Sequence, residues 1–206
     1  MTVISLVQGK GGAGKSTIAT NLAVGLPDAA LIDADPPQLS SASWAAVRAS
    51  EPPVVRPAED TRQLIRLVED LSKKHPYVLI DAPARLLEMT RAVIILSDLV
   101  VVPTAPTMPD LWAVQDTLTV IAEAKKERRD LKAVLLFNRY RPHVKSSVEL
   151  KGSAGDLGIK TLKATLGQRV AYSDAFAEGK GVVEWHDATA RAEVTVLVAE
   201  VRRLTK

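Results

Sequence analysis

The residues best placed to do chemistry lie near the start of the chain. From Gly9 to Ser16 the sequence reads G-K-G-G-A-G-K-S, the G-x-x-x-x-G-K-[ST] spacing of a phosphate-binding loop, and Thr17 follows. Glycines at this density let successive backbone N–H groups turn toward phosphate oxygens. A helix opening on such a loop adds the positive end of its dipole to the same anion. In that pattern Gly11, Gly12, Ala13, Gly14, Lys15, Ser16 and Thr17 are the expected contacts of ATP or ADP. Lys15 would reach the β- and γ-phosphates, and the Ser16 hydroxyl would ligate Mg²⁺. A glycine-rich turn matching by chance is the bland reading, and it would not need an apolar run before it and a helical pattern after it.

Phosphate chemistry of this kind also needs carboxylates at neighbouring strand ends to hold Mg²⁺ and its water. Leu31-Ile32-Asp33-Ala34-Asp35 and Val78-Leu79-Ile80-Asp81 both run from apolar residues into aspartate. A lone Asp at a strand mouth more often caps a helix. Three of them beside a phosphate loop suit the edge of an open α/β sheet where ligands bind.

The elements that must hold these residues follow from hydrophobic patterning. Short apolar runs at 3–7, 30–34, 54–56, 77–81, 99–103 and 133–138 read as strands. Longer amphipathic stretches at 16–26, 61–74, 86–97, 111–129, 144–157, 173–178 and 189–204 read as helices; Leu64, Leu67, Val68 and Leu71, for example, have helical spacing. Strands apolar throughout suit a parallel sheet covered on both sides. The expected fold is therefore α/β: a P-loop NTPase with a doubly wound, mostly parallel sheet and helices on both faces. No linker, repeat or low-complexity segment interrupts residues 1–206, so a single P-loop ATPase domain is expected.

Composition narrows the setting. The chain has no cysteine, which excludes disulfides and thiolate metal sites. The first residues lack the basic and apolar pattern of a signal peptide, and no apolar run approaches the roughly 18 residues of a membrane span. A cytoplasmic location is expected. Net charge is +3 overall but uneven. Residues 1–118 hold ten basic against thirteen acidic side chains, and residues 119–206 hold seventeen against eleven. The basic half points to a polyanionic partner or to a solvated basic surface, and charge alone does not separate these.

The string from Lys10 to Thr17 resembles the deviant phosphate loop of the ParA/MinD group of ATPases, in which an extra lysine near the loop's start is matched by Lys10. Asn21-Leu22-Ala23, Asp33-Ala34-Asp35-Pro36, Asp81-Ala82-Pro83, Val101-Val102-Pro103-Thr104 and Gln168-Arg169-Val170-Ala171-Tyr172 resemble further family segments, so the likeness spans the chain. It is strongest to the small plasmid-partition ParA proteins that lack a helix-turn-helix domain. Two departures are a short segment between Leu26 and Leu31 and an extra proline, Pro37.

This resemblance implies a nucleotide-dependent homodimer in which Lys10 acts on the partner's phosphates. It implies that Asp35 positions the attacking water, that Asp33 and Asp81 support Mg²⁺, and that Asn138 contacts adenine, although Asn138 could equally form a turn. It further implies slow, partner-stimulated ATP hydrolysis, a ParB-like adaptor and nucleoid association through non-specific DNA. Expected DNA contacts are Arg169 first, then Arg139, Arg141 and Lys145, with Lys163, Arg202 and Arg203 also basic. Alternatives are a ParA-like positioning ATPase for a protein cargo such as a microcompartment, and a MinD-like membrane-associated division regulator. The latter would use the apolar row Val194, Leu197, Val198, Val201 and Leu204 as an anchor. A small-molecule kinase is disfavoured by the second lysine.

Overall fold

The computed structural model describes residues 1–36, 38–49, 52–84 and 87–206. The extra proline Pro37 and the expected helix start at Leu86 lie outside the described residues. Seven strands form one sheet: β1 (Thr2–Leu6), β2 (Ala29–Asp33), β3 (Val54–Pro57), β4 (Tyr77–Asp81), β5 (Leu99–Thr104), β6 (Lys132–Tyr140) and β7 (Lys160–Gly167). Their order is β3-β2-β4-β1-β5-β6-β7, and every pairing is parallel. The expected mostly parallel sheet is thus parallel throughout. All strand carboxyl ends meet on one edge, and β1, flanked by β4 and β5, delivers the phosphate loop to its centre.

The helices are α1 (Lys15–Gly25), α2 (Ser40–Val47), α3 (Thr61–Ser72), α4 (Leu87–Leu96), α5 (Met108–Glu127), α6 (Lys145–Ser153), α7 (Val170–Ala177) and α8 (Ala188–Leu204). The strands bury alternate residues on opposite faces. Val3, Ile32, Ile80 and Val100 pack with Leu64, Val68, Val93 and Ile121 of α3, α4 and α5. Ile4, Leu31, Leu79 and Val101 pack with Ile18, Leu22, Ala175 and Leu197 of α1, α7 and α8. Both faces being covered explains why β2 and β5 are buried at every position.

Helix α8 settles where its apolar row goes. Val194, Leu197 and Val201 are fully buried against the sheet, each stabilising the fold by roughly 1.5–3 kcal/mol. The row that could have formed a membrane anchor is therefore used in the core. Among the described residues no helix is long and apolar enough to cross a membrane.

Helix α2 is tied to the segment after α7. The buried Trp44 donates its indole N–H to Lys180 O at 3.2 Å, and Arg48 forms a two-pronged pair with Glu184 at 2.7 and 2.8 Å. Arg48 holds the Glu184 carboxyl below its ordinary value of 4.5, mainly through those hydrogen bonds. A carboxylate with a depressed folded pKa stabilises the fold above the unfolded value, and the gain disappears as pH falls through the folded one. The stability advantage of the native chain over Glu184→Gln, read from urea midpoints, should be full near pH ~6 and shrink once pH drops below about 4.5. A pH-independent difference would remove the charge from this account.

Candidate nucleotide-binding site

The loop after β1 is shaped by backbone freedom and by neighbours that hold it. Gly12 and Gly14 sit at φ 76° and 94°, a region closed to most side chains. At Gly14 a Cβ would also fall 2.2 Å from Asn138 Nδ2. That close approach has a purpose: Asn138 Nδ2 donates to Ala13 O at 2.9 Å and ties β6 to the loop. Beneath the loop the buried Gln8 donates to Pro103 O at 3.2 Å, while its Oε1 accepts from Thr117 Oγ1 at 3.0 Å and Lys10 N at 3.3 Å. Thr117 Oγ1 in turn accepts from Gly9 N at 3.3 Å.

Above the loop lies a cavity of about 670 Å³ whose lining includes Gly11, Gly12, Gly14, Lys15, Ser16, Thr17, Asp35 and Arg139. Lys15 is buried, and its ammonium donates to Gln8 O at 3.2 Å. Burial pulls its pKa below the ordinary lysine value, against the opposing charges of Asp81 and Asp35.

The three aspartates are brought together but do different work. Asp33 is fully buried. Its Oδ1 accepts from Asp35 N at 3.2 Å, and its Oδ2 from Ala42 N in the first turn of α2 at 2.9 Å. It therefore braces the loop between β2 and α2, the helix-end role open to any strand-mouth Asp. Burial raises its pKa despite those amides. Asp35 opens into the cavity, also raised by burial, with Lys15 opposing. Asp81 is buried with Oδ2 accepting from Ser41 Oγ at 2.8 Å, while Oδ1 has no hydrogen-bond partner. Burial pushes Asp81 up to about 7, with Asp33 adding to the shift and the nearby Ser16 and Ser41 hydroxyls opposing it.

An orphaned carboxylate oxygen beside the Ser16 hydroxyl, among acids strained by burial, suits a divalent cation. Among the described residues no group of three His, Cys, Asp or Glu could hold a metal by itself. Mg²⁺ would thus be shared between Ser16, Asp81 acting directly or through water, and the phosphates.

Lys10 does not line the cavity. Its ammonium is 2.9 Å from Asp110 Oδ1, in the first turn of α5, where Thr107 caps the helix and also bonds the Asp110 carboxylate. Asn138 donates to Ala13 O and accepts from Arg139 N, both at 2.9 Å, which uses one of its two amide hydrogens and one of its two oxygen lone pairs.

Several of the expected DNA contacts have partners within the chain. Arg169 lies against Glu193, with Nη2 at 2.8 Å and Nε at 3.1 Å, and Tyr172 Oη donates to the same carboxylate at 2.8 Å. Burial raises the Tyr172 pKa, with the Glu193 charge adding to it. Arg141 Nε donates to Gln168 at 2.7 Å, and Arg139 lines the nucleotide cavity. Lys145 is exposed and stands 3.6 Å from Glu149. Arg202 and Arg203 end α8, next to Leu204, whose carbonyl accepts from Lys132 at the opposite edge of the sheet.

Sequence reasoning misses Gln8, Ser41, Thr117 and Asp110. Only Gln8 carries a signal, as a polar residue in a strand-to-loop step that is otherwise apolar.

This sheet and this loop define a P-loop NTPase. A family model for the CobQ/CobB/MinD/ParA nucleotide binding domain matches residues 4–183, and the chain belongs to that family, as a ParA/MinD-type ATPase that uses ATP with Mg²⁺. It is 30% identical over 181 residues to maintenance of carboxysome distribution protein A of Halothiobacillus neapolitanus, covering 85% of this chain and 83% of that one. It is 27% identical over 190 residues to protein ParA of Rhizobium radiobacter, covering 87% and 84%. The ATP complex of a substituted McdA from Cyanothece has a TM-score of 0.82 at 14% identity, covering 98% of this chain and 96% of that one, so it shares the fold.

Proposed function

We propose that this chain, acting as a single ATPase domain, is a ParA-like positioning ATPase whose cargo is a protein assembly. The observation that carries the reading is its 30% identity, over most of both chains, to a carboxysome distribution protein. Lys10 supports the pairing step, because its ammonium stands outside its own nucleotide cavity.

The chemistry follows from the site. Backbone amides of the loop and Lys15 hold the phosphates, and Mg²⁺ supplies charge that neutralises their oxygens. Asp35, opening on the same cavity, orients the attacking water. A second subunit closing on the first brings its Lys10 to the phosphates, so hydrolysis depends on pairing. Hydrolysis then releases the pair, and an adaptor protein on the cargo sets the rate. The basic half of the chain holds nucleoid DNA through phosphate contacts independent of sequence.

A plasmid-partition role with a ParB-like adaptor is the second reading, favoured by the 27% identity to ParA. Retention on random-sequence duplex DNA should require ATP and fall steeply with salt. ATP-dependent binding to anionic liposomes with no DNA retention would overturn both readings. Deleting the gene and imaging the cell separates them. The proposed role predicts mislocalised protein assemblies with unchanged plasmid retention, and elevated plasmid loss would favour partition.

A further inference from the structure

Arg139 sits in β6 where its pairing with β7 is irregular, the register shifting between Phe137 and Tyr140, a bulge of the kind that re-aims side chains beside functional sites. It follows the inward run of β6 and sits at φ 53°, in the left-handed region where non-glycine residues are uncommon and cluster at functional sites. Asn138 fastens this bulge to the phosphate loop: its side chain accepts from Arg139 N while donating to Ala13 O. The loop and the Arg139 backbone are therefore one unit.

Its position is equally specific. Arg139 lines the large cavity and also a second one of about 170 Å³ beside it, and Gly14 and Thr17 are the other residues common to both. Asp35 lines only the large cavity, whereas Asn138, Gln168 and Tyr172 line only the second. Among the described residues the Arg139 guanidinium has no ion pair or hydrogen bond, unlike Arg141 on Gln168 and Arg169 on Glu193. An extended ligand with its terminal phosphate toward Asp35 would pass Arg139 as it leaves the loop at Thr17.

We propose that Arg139 is a nucleotide-holding residue. Its guanidinium closes on the α-phosphate and base end of a bound nucleoside di- or triphosphate, and it does not act on the γ-phosphate or on DNA. A planar guanidinium can both bond phosphate oxygens and stack on a purine ring. The inference rests on the nucleotide reading of the phosphate loop.

The test uses Arg139→Asn and Arg139→Gly, because both residues tolerate the left-handed turn. Dissociation constants for ATP and for ADP are measured by displacement of a fluorescent nucleotide, and DNA retention is measured at saturating ATP. The expected result is a loss of affinity by the same factor for ATP and ADP, roughly 10-fold or more. A loss for ATP alone would move Arg139 to the γ-phosphate and overturn the proposal. Unchanged nucleotide affinity with weakened DNA retention would also overturn it. A native chain that bound neither nucleotide would instead sink the reading on which the proposal rests.

Discussion

Lys10→Ala should lower ATP turnover by about 10²–10³-fold while leaving ATP and ADP affinity nearly unchanged. The side chain points to Asp110, 2.9 Å away, and is absent from the lining of the cavity. Removing it therefore takes nothing from the subunit's own grip on the nucleotide. On the proposed mechanism, what it removes is a cation delivered across a dimer to charge developing on the transferred phosphoryl. An arginine delivered in this way contributes 10³–10⁵ in rate. A lysine is a point charge without the bidentate fork, so the smaller range applies. Specific activity measured against protein concentration provides the check. The native chain should rise with concentration and the variant should stay flat, and an unchanged turnover would rule out the role.

Lys15→Ala should have the opposite signature, with ATP affinity falling by roughly 100-fold. Its ammonium is buried, donates to Gln8 O, and faces Asp81 and Asp35. Without it, those carboxylates and the phosphates would confront one another with one fewer cation. Truncating one partner of a buried, hydrogen-bonded charge pair formed on binding, here the ammonium with the phosphates, costs about 2–5 kcal/mol, a range that spans 100-fold in a dissociation constant. Titration calorimetry with ATP reads this directly. If the Lys15 variant kept native affinity and the Lys10 variant lost it, the two lysines would have to exchange roles.

The proposed division of labour between these lysines is only half visible in the sequence. Local pattern is enough for the loop, for the strands that deliver Asp33, Asp35 and Asp81, and for most helices, because those signals lie within a few residues of one another. Strand β4 is found at the expected residues 77–81. The remainder depends on contacts across long separations. Asp110 meets Lys10 from a hundred positions away, and Thr117 reaches Gly9 across 108. Strand β7 escapes the pattern because Lys160–Gly167 is a half-exposed edge strand that mixes lysine and threonine with its apolar residues. Helix α2 escapes it because it is only eight residues long and its apolar residues run together from Trp44 to Val47 with no helical spacing. The pattern starts α5 too late, at Leu111, because Pro109 reads as a breaker, yet it lies in the first turn where proline is tolerated. The pairing of Arg169 with Glu193 on α8 is likewise beyond a local pattern.

The bracing beneath the phosphate loop has a consequence for how binding is driven. Ordering a free glycine-rich segment around an anion would cost roughly 1–2 kcal/mol per residue in backbone entropy. Here Gln8, Thr117 and Asn138 hold the segment from within the protein, so that ordering is completed when the chain folds. Nucleotide capture then has little disorder to overcome, so less of the contact energy is spent on ordering the loop. The loop is preorganised, and its ordering cost is met once at folding rather than at each binding event.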